Sequence, residues 1–65
     1  MMYIYMTGLY GIEGMVAYYR KLGDCFDFVN DIKFASELTE EECDRIMKYE
    51  DWYCKQYKAD HMAIL

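Results

Sequence analysis

Apolar and polar positions alternate over Met2-Tyr3-Ile4-Tyr5-Met6, and a period of two predicts a strand. Met2, Ile4 and Met6 then face one side, Tyr3 and Tyr5 the other. Met15 to Leu22 and Cys25 to Val29 predict two further strands. Gly23-Asp24 joins them as a Gly-X pair suited to a type II′ hairpin. A two-residue turn fixes the register: Leu22 opposes Cys25, Lys21 opposes Phe26, Arg20 opposes Asp27 and Tyr19 opposes Phe28. Arg20 and Asp27 become an opposite-charge cross-strand pair, and Ala17, Tyr19, Phe26 and Phe28 share one face. Thr7 to Gly14, with Leu9, Tyr10 and Ile12, reads as a flexible glycine-punctuated connection.

The period changes after Asn30-Asp31, which can cap a short helical turn over Ile32–Ser36. Leu38-Thr39-Glu40-Glu41-Glu42-Cys43 then carries a capping box: Thr39 accepts from the Glu42 N–H and Glu42 reaches back to the Thr39 N–H. Leu38 and Cys43 are placed to staple across it. Glu40, Glu41 and Glu42 sit where the helix dipole favours negative charge. The spacing predicts one helix from Glu40 to Tyr57 or Lys58, with Cys43, Ile46, Met47, Tyr53, Cys54 and Tyr57 on one stripe. Glu41–Arg45, Asp44–Lys48 and Asp51–Lys55 are acid-first pairs one turn apart. Asp60 ends the helix, and His61 to Leu65 reads as a last strand. The expected fold is α+β in β-β-β-α-β order: a small antiparallel sheet of three to four strands with one long C-terminal helix packed on one face.

Size sharpens this picture. Sixty-five residues make a single domain, 1–65. A chain this short buries only about 60% of its unfolded surface, so its core must be dense or a partner must complete it. Eight Tyr and six Met supply the density. The net charge of −5 argues against direct binding to nucleic-acid phosphates and fits a partner with a basic surface. Cys25, Cys43 and Cys54 make an odd count. Cys43 and Cys54 would stand about 16 Å apart along one helix, too far to bridge, so free thiols in a reducing compartment are expected. No basic residue precedes Arg20 and three glycines interrupt the apolar N-terminus, so neither a signal peptide nor a membrane span is expected.

No constellation for catalysis, a cofactor or a metal stands out. Gly8-x-x-Gly11-x-x-Gly14 lacks the Lys-Ser/Thr of a phosphate loop. His61 is the one histidine. Cys54 falls on the apolar stripe with no cation one turn away. The chain is therefore expected not to be an enzyme. Three other features point to contacts. Trp52 falls opposite Cys43 on the charged face, near Tyr49, as an aromatic anchor or as a side chain the Ile32–Ser36 turn folds over. Tyr3, Tyr5 and Tyr18 share the sheet face turned from the helix, and fit a protein contact or homodimer, a solvated tyrosine-rich face or, less well in an acidic chain, a base-stacking surface. Glu37, Glu40, Glu41, Glu42 and Asp44 form an acidic cluster without a basic residue. That cluster is either solvated cap chemistry or a phosphate mimic. Glu50, in mid-stripe, is expected to find a partner, rotate outward or meet another molecule.

The run Phe26-x-Phe28-x-Asn30-Asp31-Ile32-x-x-Ala35-x-x-Leu38-Thr39-Glu40-Glu41-Glu42 resembles small proteins encoded in bacterial phages and prophages. Those pair a β-hairpin with an A-x-x-[LF]-[TS]-E-E-E helix entry. The resemblance covers about half the chain, carries no catalytic residues, and implies a mobile-element origin and the bacterial cytoplasm. With the size and charge, it leads to the expectation of a binding protein. Its partner would be a bacterial protein with a basic surface, and it would inhibit a nucleic-acid-handling defence complex such as a CRISPR effector (the anti-CRISPR type). Glu37, Glu40, Glu41, Asp44, Tyr49 and Trp52 would make the contact, with Tyr3, Tyr5 and Tyr18 as a second surface. The alternative is a homo-oligomeric structural or regulatory module without inhibitory activity.

Overall fold

The computed structural model describes residues 2–65. Four strands, β1 (Ile4–Thr7), β2 (Val16–Leu22), β3 (Cys25–Val29) and β4 (His61–Ile64), form one antiparallel sheet in the order β3-β2-β1-β4. Two helices, α1 (Glu40–Met47) and α2 (Glu50–Tyr57), cover one face. The α+β class and the antiparallel sheet follow the sequence pattern.

The hairpin register is the expected one, pair for pair, and it extends to Tyr18 opposite Val29. Arg20 binds Asp27 through Nε to Oδ1 at 2.8 Å and through Nη2 to Oδ2. Gly23 takes φ +61°, the left-handed value this turn asks of its first residue. The first strand begins later than the alternation predicts. Met2 makes only an isolated bridge to Leu38, and regular pairing runs Ile4–Thr7. Ser36–Leu38 links the end of β2 to the chain before β1. Ser36 N–H donates to Tyr19 O, Lys21 N–H to Ser36 Oγ, and Leu38 N–H to Met2 O.

The single long helix is corrected to two. The i→i−4 ladder stops at Lys48-Tyr49, where the Tyr49 N–H bonds Ile46 O and Tyr49 takes φ −108°, ψ 27°. It resumes with Tyr53 N–H to Tyr49 O. Neither proline nor glycine marks the break. A straight helix would carry Glu50 into the middle of the apolar stripe, and a buried carboxylate without a partner is costly. The break instead puts a half-buried Glu50 in the first turn of α2, where the dipole favours it. Tyr53 of α2 enters the aromatic cluster on β2–β3. Cys43 and Cys54 consequently lie on different helices, and all three cysteines are free thiols.

The core lies between sheet and helices. Ile4, Met6, Cys43 and Met62 are fully buried, joined by Leu9, Ala17, Tyr19, Leu38 and Tyr53. Tyr53 meets Phe26, Phe28 and Tyr19 at ring separations of 5.3, 6.2 and 6.4 Å, and Tyr57 meets Phe28 at 4.9 Å. The Gly8–Gly14 connection is not the flexible loop its glycines suggest. It holds a 3₁₀ turn over Leu9–Gly11 that sinks Leu9 into the core. Gly8 sits at φ +70° so close to the Asp60 carboxylate that a Cβ there would collide with it. A second 3₁₀ turn, Ile32–Phe34, is capped by Asp31, which accepts from the Lys33 N–H at 3.0 Å.

Candidate functional site

The capping box forms as its spacing predicts. Thr39 Oγ1 accepts from the Glu42 N–H at 3.1 Å, and Glu42 Oε1 accepts from the Thr39 N–H at 3.0 Å. The rest of the acidic cluster divides by what each carboxylate touches. Glu42 Oε2 also binds Lys21 Nζ at 2.8 Å, so a basic residue of β2 does reach into the cluster. Lys21 above all, then the Thr39 N–H, holds the Glu42 carboxyl down at about 2. Glu37 accepts from the Tyr3 hydroxyl at 3.3 Å. Partial desolvation and the Glu37 charge push the Tyr3 phenol up. Glu40, Glu41 and Asp44 are exposed. Among the described residues no cation lies within 4.0 Å of them, so the expected Glu41–Arg45 and Asp44–Lys48 pairs do not close, nor does Asp51–Lys55. Lys48 caps α1 at the break rather than extending its charged face.

Trp52 and Tyr49 stand in solvent, 50% and 57% exposed. The Ile32–Phe34 turn does not bury the indole, whose ring packs against Tyr53 at 5.0 Å. Both aromatics belong to the stretch at and just after the break. Close by, Tyr19, Tyr53, Ile46, Tyr49, Glu42, Lys21 and Arg45 line a cleft of about 330 Å³ between β2 and the helices. Sequence reasoning missed this cleft, because it depends on Lys21 and Glu42 meeting across 21 residues.

The tyrosine face stands apart from these groups. Tyr5 pairs with Tyr18 across β1–β2 and with Ala63 across β1–β4, on the side turned from α1 and α2. Tyr3, Tyr5 and Tyr18 are each half-buried. Glu40, Glu41, Asp44 and Trp52 thus lie on the helical side and the three tyrosines on the other, with Glu37 reaching the edge of the tyrosine face through its hydrogen bond to Tyr3.

The groups that could carry chemistry are dispersed. Cys54 is half-buried, and burial, followed by the Glu50, Asp51 and Asp60 charges, pushes its thiol up, opposite to what activates a nucleophile. Burial and nearby acids do the same to Cys43. His61 is exposed on β4. Among the described residues, no three His, Cys, Asp or Glu side chains gather where they could hold a metal ion. No described helix is long and apolar enough to cross a membrane. Comparison with protein-family models, curated proteins and solved structures finds no match for this chain.

Proposed function

We propose that the protein is a protein-binding module that presents the solvent side of α1 and α2 to a partner with a basic surface. That surface would be of the kind a nucleic-acid-handling enzyme uses to hold phosphates, as in a bacterial defence complex such as a CRISPR effector. One observation carries the reading: Trp52 and Tyr49 are at least half exposed, on the segment that also bears the exposed carboxylates Glu40, Glu41 and Asp44, which meet no cation among the described residues. Exposed Trp and Tyr are favoured as anchors in interfaces. Unpaired exposed acids act at longer range, steering an approaching basic surface. The phage-type resemblance and the bacterial cytoplasm belong to the same proposal. Inhibition would follow from occupancy, since a groove filled by carboxylates cannot also hold phosphates.

The test is kinetic. A partner isolated from bacterial lysate is immobilised, and the Glu40→Lys/Glu41→Lys protein is compared with the parent across salt concentrations. Charge reversal should slow association and flatten its salt dependence, because exposed charges are screened over about 10 Å at 0.1 M. Trp52→Ala should mainly speed dissociation. An association rate and salt slope untouched by charge reversal would reduce the cluster to cap chemistry and remove this reading.

A further inference from the structure

The strands hold three charged residues, Arg20, Lys21 and Asp27, out of the 19 Asp, Glu, Lys and Arg in the chain. Lys21 points to the helical side, where it binds Glu42. Arg20 and Asp27 lie on the other side and bind each other. The outer sheet face therefore has no unpaired charge from its strands. Its middle is an apolar row across all four strands, Val29–Tyr18–Tyr5–Ala63, each member half-buried. An antiparallel sheet with a solvated face ordinarily alternates apolar-in and polar-out. Here Tyr5, Tyr18, Val16 and Val29 take outward positions, and the two strand charges on that side, Arg20 and Asp27, neutralise each other. Charge depletion with aromatic enrichment is the composition of an interface core.

We infer that this face is the self-association surface of the protein and that its occupant is a second copy of the same chain, sheet against sheet. Three features favour a second copy over a different partner. The strands give the face no net charge, so apart from Glu37 at its Tyr3 edge it offers little to attract a basic surface. It is self-complementary, because a two-fold axis can set the Arg20–Asp27 pair of one copy against that of the other. It is also the one docking that turns the acidic sides away from each other. Stacked sheets lie about 10 Å apart with a helical layer on each side, so the two acidic helix faces would be about 30 Å apart, beyond the Debye length at physiological salt. Copies of charge −5 that met by their helices would repel. The principal extents of 28 × 24 × 21 Å cap any one face of the molecule at about 670 Å², so a dimer through it buries at most about 1,300 Å² in all, the lower edge of specific interfaces. The dimer is therefore weak and concentration-dependent. It would carry two helix faces pointing in opposite directions, which makes the proposed binding module bivalent.

The experiment needs no partner, so its outcome is separable from that of the helix-face reading. Sedimentation of the intact chain is followed from about 5 to about 500 µM, with amide and aromatic NMR shifts recorded over the same range. A monomer–dimer equilibrium is expected, with shifts moving at Tyr5, Tyr18, Val16 and Val29 and still at Trp52 and Tyr49. Tyr18→Lys should raise the dissociation constant by about tenfold or more. Tyr5→Thr, which removes a ring but keeps a strand-forming residue, should weaken the dimer while circular dichroism stays unchanged. A strict monomer at the highest concentration overturns the inference. So does association whose shifts centre on Trp52, or one that both variants leave intact.

Discussion

Removing the Tyr53 ring should come close to unfolding the protein. Tyr53 is the buried residue of α2, and its ring meets Tyr19, Phe26 and Phe28. Truncating a buried aromatic to alanine costs about 3–5 kcal/mol, and the ring pairs put this site toward the upper end. A 65-residue domain has about 3–10 kcal/mol in total, at about 0.05–0.15 kcal/mol per residue. Tyr53→Ala therefore removes about half the stability or all of it. Tyr53→Phe keeps the ring and loses only a hydroxyl that lies beside that of Tyr19, a change of about 0.5–1.5 kcal/mol. Urea denaturation read by Trp52 fluorescence is a direct assay, because the indole packs on the Tyr53 ring. With a slope of about 1 kcal/mol per molar urea, Tyr53→Ala should lower the midpoint by about 4–5 M or leave no folded baseline. Tyr53→Phe should lower it by about 1 M. An alanine variant within about 1 M of the parent would refute the reasoning: α2 would not be held by its aromatic contacts, and the break before it would need another cause.

Thr39→Ala should lower stability by about 0.5–2 kcal/mol, since it leaves the Glu42 N–H without its acceptor; an unchanged thermal midpoint would contradict this. The pH profile has two limbs of opposite origin. The Glu42 and Asp27 carboxyls are held below their ordinary values by Lys21 and Arg20, so their stabilisation is full above the ordinary carboxylate range. It is lost as pH falls from about 4.5 towards about 2, and Lys21→Met should flatten that acid limb. Burial raises the Tyr19, Tyr53 and Tyr57 phenols above 10.0, so the unfolded chain ionises first and stability should decline from about pH 10 upward, as denaturation across pH would register.

What was legible in the chain was what short sequence separations decide. A two-residue turn leaves one register, and that register had to bring Arg20 to Asp27 and Tyr19 to Phe28. Thr39 and Glu42 are three residues apart, so their box needs no tertiary partner. The helix angle placed Trp52 opposite Cys43, but whether the Ile32–Ser36 turn covers it depends on tertiary packing, which leaves it exposed. The helix break was not legible, because no proline or glycine encodes it. It falls where an unbroken helix would carry Glu50 into the middle of the apolar stripe. The Lys21–Glu42 pair and the cleft beside it depend on contacts 21 residues apart. The glycines from Gly8 to Gly14 drew attention to flexibility, although Leu9 within them was an apolar residue in need of a site.

The small size of the chain connects its two surfaces. After Leu38 the chain builds one helical layer and β4, and that layer covers one side of the four-stranded sheet. Ile4, Met6, Ala17, Tyr19 and Met62 are buried by it. Among the described residues no element covers the outer side, yet it carries tyrosine and valine where a solvated sheet would carry lysine and glutamate. Cover from a second copy resolves that mismatch without adding a residue to the chain. The acids lie at the start and along the outside of α1, away from that face, so sheet-to-sheet pairing leaves them free for a different partner. The same division makes the surfaces separable by mutation. Tyr18→Lys should act on self-association and Glu40→Lys on heterologous binding, and a variant of either kind that altered both would show that the two faces are one site.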